Sequence, residues 1–147
     1  MAKRFMSDLK DTRPYKIVAH MMKNDAFSRW MGIEILDVRE GYCKISFDVT
    51  DEMLNGFYVT HGGIVFSLAD SALAFSAGTY GRVSLAIENS ISFTKKSSSG
   101  ETLIASSSCI NLTHKTGLFE VKVVNEKNEL LALMKATVYR TSEEFPV

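Results

Sequence analysis

Asp70 stands alone in an apolar run from Ile64 to Ala77, among Phe66, Leu68, Ala69, Ala72, Leu73, Ala74 and Phe75. A carboxylate in such surroundings is costly to bury, so it calls for a partner or for a reaction. Ahead of the run come Asn55-Gly56 and then His61-Gly62-Gly63. If a helix begins near Gly62, its first amides are free, and residues without a β-carbon let a ligand carbonyl come close. A helix end of that kind stabilises negative charge developing on an acyl oxygen. Asp70 then supplies the reacting group, as nucleophile or as general base.

The two halves cannot serve one carbonyl within one chain. Eight residues along a helix span about 12 Å. The attacked carbon must lie within roughly 3 to 3.5 Å of its attacker while its oxygen accepts hydrogen bonds of about 3 Å. If Asp70 and the glycine amides share a site, Asp70 must meet the start of the same helix in a second copy, antiparallel across a two-fold axis. The other reading keeps Asp70 structural, hydrogen-bonded to Ser67, Ser71 or a neighbouring strand. His61 also has two readings, as a helix-entry residue whose ring fixes the loop or as a base. On a common helix His61 and Asp70 face opposite ways, which argues against a metal pair. No HxxxH, HExxH or CxxC pattern offers other metal ligands, and no GxSxG elbow occurs.

The elements that must position these residues are legible from periodicity. Pro14 opens an amphipathic helical pattern, Ile17, Val18, Met21, Met22, Ala26, Phe27, Trp30 and Met31, which Gly32 ends. Residues 1–13 read as a polar leader. Ile33 to Arg39 and Tyr42 to Val49 alternate around Glu40-Gly41 as a hairpin, and Asp51 to Thr60 is a loop. From His61 to about Thr79 apolar residues run round all sides, which predicts a core helix covered on every side. The period then becomes two, in Val83, Leu85, Ile87, Ile91 and Phe93, in Leu103 to Leu112, in Phe119, Val121 and Val123, and in Leu130 to Val138. Short polar turns separate these four strands. Helix, two strands, buried helix and four strands give an α+β domain in which an antiparallel sheet wraps the central helix.

With 147 residues and 46% hydrophobic content the chain is expected to be a single domain, 1–147, able to bury a core without metal or disulfides. Lysine plus arginine equals aspartate plus glutamate at 17 each, so no global field recruits nucleic acid or an anionic membrane. The basic start lacks an apolar stretch and no later segment could span a bilayer, so a cytoplasmic protein is expected. Cys43 and Cys109 lack CxxC spacing and read as two reduced, buried thiols.

Leu54-Asn55-Gly56 and His61-Gly62-Gly63-Ile64-Val65-Phe66-Ser67-Leu68-Ala69-Asp70-Ser71-Ala72 resemble the hot-dog-fold acyl-CoA thioesterases of the PaaI type. The likeness extends to the strand order, to Ser90-Ile91-Ser92-Phe93, to Gly100-Glu101-Thr102-Leu103 and to His114-Lys115-Thr116-Gly117. It implies a six-strand sheet rolled around a long helix, dimers with a continuous sheet, and a tetramer of two dimers. It implies an acyl-CoA substrate and no separate cofactor, with Gly62 polarising the thioester carbonyl and Asp70 of the partner acting as nucleophile or base. Asn55 and His61 would orient the thioester, the water or the Gly62 loop, and Gly63 and Phe93 would line the substrate site. Members commonly follow the Ser-x-x-Phe strand with an aliphatic-Arg-Pro step, where this chain has Thr94-Lys95-Lys96-Ser97. Lys95 and Lys96, or His114 and Lys115, could meet the coenzyme A phosphates or could be solvated hairpin ends.

PaaI-type relatives suggest aryl or hydroxyaryl acyl groups such as phenylacetyl. Phe57 and Tyr58, with Leu73, Phe75 and Ala77, could floor an aromatic pocket, but core is the favoured reading. Two other functions fit the same framework, a non-catalytic acyl-CoA-binding module and a hot-dog hydratase. The hydratases resemble a His with a downstream Pro-Gly, and the prolines here are Pro14 and Pro146, neither near His61.

Overall fold

The computed structural model describes residues 9–147, so the first eight residues of the polar leader lie outside it. The rest of the leader is anchored: Leu9 is buried, and the Thr12 hydroxyl accepts the Tyr15 N–H to cap helix α1, Arg13–Asn24. Ile17 and Val18 are the buried residues of α1. The apolar pattern read as one helix is broken at Asp25. Its carboxylate accepts from the Ser28 N–H at 2.9 Å and the Ser28 hydroxyl at 2.6 Å, capping a separate short helix α2, Ala26–Trp30. An aspartate satisfies the free amides at a helix start, so it ends one helix as readily as it opens another.

Strands β1, Glu34–Arg39, and β2, Tyr42–Asp48, form the expected hairpin. Gly41 makes its turn at φ 72°, where a β-carbon would collide with the Tyr80 hydroxyl. After the loop comes α3, Gly62–Gly78. Four long strands follow, β3, Arg82–Phe93, β4, Thr102–Leu112, β5, Thr116–Asn125, and β6, Leu130–Glu144. The antiparallel sheet runs β1-β2-β4-β5-β6-β3, so the strand that leaves α3 crosses to the far edge.

The sheet curls round α3 and buries Leu68, Leu73 and Phe75 against Ile45, Leu103, Phe119, Val121 and Met134. Each large apolar side chain so covered stabilises the fold by about 1.5 to 3 kcal/mol. Buried hydroxyls fix the helix along its axis. Ser76 bonds Ser107 of β4 at 2.6 Å, Ser71 bonds Ser28 of α2 at 2.9 Å, and Thr79 accepts the Gly41 N–H at 2.8 Å. The coverage is nevertheless incomplete. Gly63, Phe66, Ser67, Asp70 and Ala74, at three-and-four spacing, are only half-buried or exposed and form one open stripe along α3.

β3 departs from the strict alternation expected of it. It pairs Ala86 with Val138 and then Glu88 with Thr137 and Asn89 with Ala136, leaving Ile87 as an extra, bulged residue. An extra residue reverses which face the following side chains occupy. Leu85, in step with Ile91 by sequence, therefore lies on the face opposite to it. Leu85 and Ile87, both expected in the apolar face, are 59% and 61% exposed at the edge of the sheet. The aromatic pair Phe57-Tyr58 also lies outside the core, at 85% and 82% exposure, while Leu73, Phe75 and Ala77 are core as expected. Both cysteines are free thiols, of which Cys43 is buried as expected and Cys109 is only half-buried.

Candidate active site

The entry to α3 is built by the loop before it. Asn55 Oδ1 accepts from the Phe57 N–H at 2.8 Å and the Val59 N–H at 3.4 Å, closing a tight turn that holds Tyr58 at φ 59°. A left-handed tyrosine costs about 1 to 2 kcal/mol, which the turn's hydrogen bonds must offset. Thr60 then binds Ser97 twice, by its N–H to the carbonyl at 2.9 Å and between the hydroxyls at 2.7 Å. These bonds lock the start of α3 onto the segment that follows β3.

His61 is the cap of that helix. Its Nδ1 accepts the Gly63 N–H at 2.9 Å, and its carbonyl accepts from Ile64 and Val65. Three of the first four helical amides are thereby engaged, and among the described residues the Gly62 N–H has no acceptor. Of the two glycine amides expected to be free, one remains. It sits at the positive end of a seventeen-residue helix.

Gly62 faces the Phe93 ring, which a β-carbon would meet at 3.6 Å. A groove of about 320 Å³ opens here, lined by Thr60, Gly62, Val65, Phe93, Thr94, Lys95, Lys96 and Ser97. The two lysines in it are not equivalent. Lys95 is bound to Glu129 at 2.6 Å, and Glu129 is held below the usual carboxylate range by its hydrogen bond from Asn125 and then by Lys95. Among the described residues Lys96 has no carboxylate partner. A second groove of about 360 Å³ runs past His61 and Gly63 to Ser67 along the open stripe, with Phe27, Met53, Leu54 and Ile64 on its walls.

Asp70 lies further along that stripe, eight residues and about 12 Å from Gly62 on one unbroken helix. Its Oδ1 accepts from Asn89 Nδ2 of β3 at 3.0 Å, the neighbouring-strand contact that was one reading of this residue. The expected partners Ser67 and Ser71 bond the Gly63 carbonyl and Ser28 instead. The other face of the Asn89 amide is unusual. Its Oδ1 is buried and has no partner, a cost of about 1 to 3 kcal/mol. The sequence marks Asn89 only as a polar residue in step with Ile87, Ile91 and Phe93, and that pattern by itself carries no chemistry.

The structure thus brings Asn55, His61, Gly62, Gly63, Phe93, Lys95 and Lys96 to one end of the sheet. His114 and Lys115 are elsewhere. Their turn is adjacent to Arg140 and Arg82, whose side chain donates to the His114 carbonyl at 2.9 Å, whereas Phe93 pairs with Ala132 at the other end of β3. Eleven residues of strand, about 36 Å at strand rise, separate Arg82 from Phe93 within one chain. Among the described residues no three His, Cys, Asp or Glu side chains cluster as metal ligands. No described helix is long and apolar enough to cross a membrane.

An unclaimed amide at the start of a sheet-wrapped helix, with a carboxylate further along it, coincides with a sequence match. The profile of the Thioesterase superfamily fits residues 57–132, which spans the end of the loop, α3 and the strands to the start of β6. The chain belongs to the Thioesterase superfamily. A putative esterase of Archaeoglobus fulgidus is 42% identical over 147 residues, covering 99% of this chain and 96% of the relative. The acyl-coenzyme A thioesterase PaaI of Escherichia coli is 34% identical, covering 83% of this chain and 88% of its own. The solved structure of the E. coli PaaI protein from the phenylacetic acid degradation operon superposes with a TM-score of 0.88 at 30% identity, over 90% of this chain and 96% of that one. As a superfamily member with this fold, the chain is a hot-dog thioester hydrolase.

Proposed function

We propose that the chain hydrolyses an aryl- or hydroxyaryl-acyl-CoA thioester at sites shared between two copies, with Asp70 of one protomer facing Gly62 of the partner subunit. The observation that carries this is the separation on α3, since the one unclaimed amide and the carboxylate are too far apart to act on one carbonyl. A second, antiparallel copy of α3 removes that conflict. The β3 edge supports such pairing, because it offers an unpaired backbone and exposed Leu85 and Ile87 over a twelve-residue strand. Pairing β3 to its symmetry mate about its middle would bring the Arg82 end of one chain beside the Phe93 end of the other. His114 and Lys115 would then rejoin Lys96 of the partner subunit around the coenzyme A phosphates. Two such dimers form the tetramer.

In this site the Gly62 N–H donates to the thioester oxygen as it becomes an oxyanion. Asp70 either attacks the carbonyl carbon, forming a mixed anhydride that water then hydrolyses to free the acid and restore the carboxylate, or takes a proton from the water that attacks. In both cases the C–S bond breaks as the coenzyme A thiolate leaves and is protonated. Both roles need the same placement of the carboxylate. The aryl preference is supported by the groove beside Phe27, Leu54 and Ile64, and by the E. coli relative from the phenylacetic acid degradation operon. Thiol release from a panel of aryl-, short- and long-chain acyl-CoAs tests the reading. Phenylacetyl-type substrates should be preferred. Asp70→Asn and Asp70→Ala should fold and assemble yet release thiol from none of them, and unchanged turnover in both would remove Asp70 from the mechanism.

A further inference from the structure

We propose that Asn89 is a positioning residue for the hydrolysis, holding one oxygen of Asp70 so that the other is presented to the thioester. The inference rests on the reading of Asp70 as the reacting carboxylate. Three observations converge on it. Asn89 Nδ2 donates to Asp70 Oδ1 at 3.0 Å, across the packing between β3 and α3. Among the described residues no second partner holds that carboxylate, so Oδ2 is the oxygen left for chemistry.

The second observation is the orphaned Oδ1 of Asn89. A buried amide that satisfies only one of its two ends stabilises less than an apolar side chain of the same shape. Packing alone therefore does not account for an asparagine here. The amide's orientation is also determined by Asp70, because turning it over would set two oxygen acceptors against each other.

The third is the bulge at Ile87. Without the extra residue, alternation from Ala86 would place Glu88 on the helix side and Asn89 on the outer face. With it, Asn89 pairs with Ala136 and faces α3, while Glu88 pairs with Thr137 and reaches Lys135 at 3.1 Å. The bulge re-aims this side chain onto Asp70, a common use of bulges beside reactive groups.

An aspartate held at one oxygen loses the rotation that would otherwise carry it out of line, and small misplacements of a reacting group cost on the order of a hundredfold in rate. The test is steady-state kinetics on the assembled enzyme with an acyl-CoA it turns over. Asn89→Leu should lower kcat by about 10- to 100-fold with KM within about twofold. Asn89→Asp keeps the shape but replaces the donor with a like charge about 3 Å from Asp70, and should lose more than Asn89→Leu. Asn89→Gln, which keeps a donor, should recover part of the rate. A role in packing alone predicts the reverse order, with the isosteric aspartate the mildest change. Asn89→Asp turning over within about twofold of wild type, or a loss confined to KM, overturns the proposal. If Asn89→Leu does not fold, Asn89→Asp and Asn89→Gln carry the comparison. Asp70→Asn is run beside them. An inert Asp70→Asn with a fully active Asn89→Asp overturns only the role of Asn89, whereas an active Asp70→Asn overturns the reading of Asp70 itself.

Discussion

Proline at position 62 would delete the one N–H that the start of α3 leaves unclaimed, and little else. The first turn of a helix is where proline is best tolerated, because the amide it lacks has no helical acceptor and its fixed φ suits the helix. His61 before it is extended, at φ −60° and ψ 134°, the conformation a residue preceding proline favours. The Gly63 N–H still meets His61 Nδ1. Gly62→Pro should therefore keep its melting temperature within a few degrees while kcat falls by about 10²- to 10³-fold, the usual loss for one oxyanion donor. Thermal melts and thiol release on one sample check it. A stable, fully active Gly62→Pro would rule out the amide. At this scale Asp70, Gly62 and His61 were legible because their types interrupt an apolar pattern. Which of two glycine amides stays open was not legible, since that depends on where the His61 ring turns.

β3 is the element on which the sequence pattern and the structure part company, and its exposed edge carries a prediction. Periodicity located all six strands and the central helix, because turns with Gly, Asn and Ser separate runs of clear period. It could not locate the bulge, because an extra residue leaves the composition of a strand unchanged and only the register against β6 reveals it. Leu85 and Ile87 were thus placed in the apolar face when they line an open edge. The positions of His114 and Lys115 were hidden for a related reason, since distance along a sheet is set by long-range pairing. Because Leu85 and Ile87 are already exposed in the single chain, Leu85→Lys and Ile87→Lys should leave the protomer folded, and a charge on each of two apposed edges should oppose pairing. Sedimentation should report monomers, with turnover reduced at least in proportion to the lost dimer. Full activity from a sedimenting monomer would sink the shared site.

The molecule as a whole makes the most specific statement, because a site divided between two copies can be restored by mixing two dead proteins. In a heterodimer of Asp70→Asn and Gly62→Pro chains, one site receives both lesions and the other receives neither. The intact site takes Asp70 from the Gly62→Pro chain and its amide from the Asp70→Asn chain. Random exchange makes half of the dimers mixed, each with one working site of two, so activity should rise from near zero to about a quarter of wild type. Exchange is promoted by mild denaturation and dilution, and each parent treated alone supplies the baseline. Sites complete within one chain would give no recovery, since every chain in the mixture carries a lesion. The experiment is insensitive to which acyl group is turned over, and it does not depend on whether Asp70 attacks the carbonyl or activates water. It reads only the geometry that the twelve-ångström separation on α3 requires, about 12 Å at helical rise.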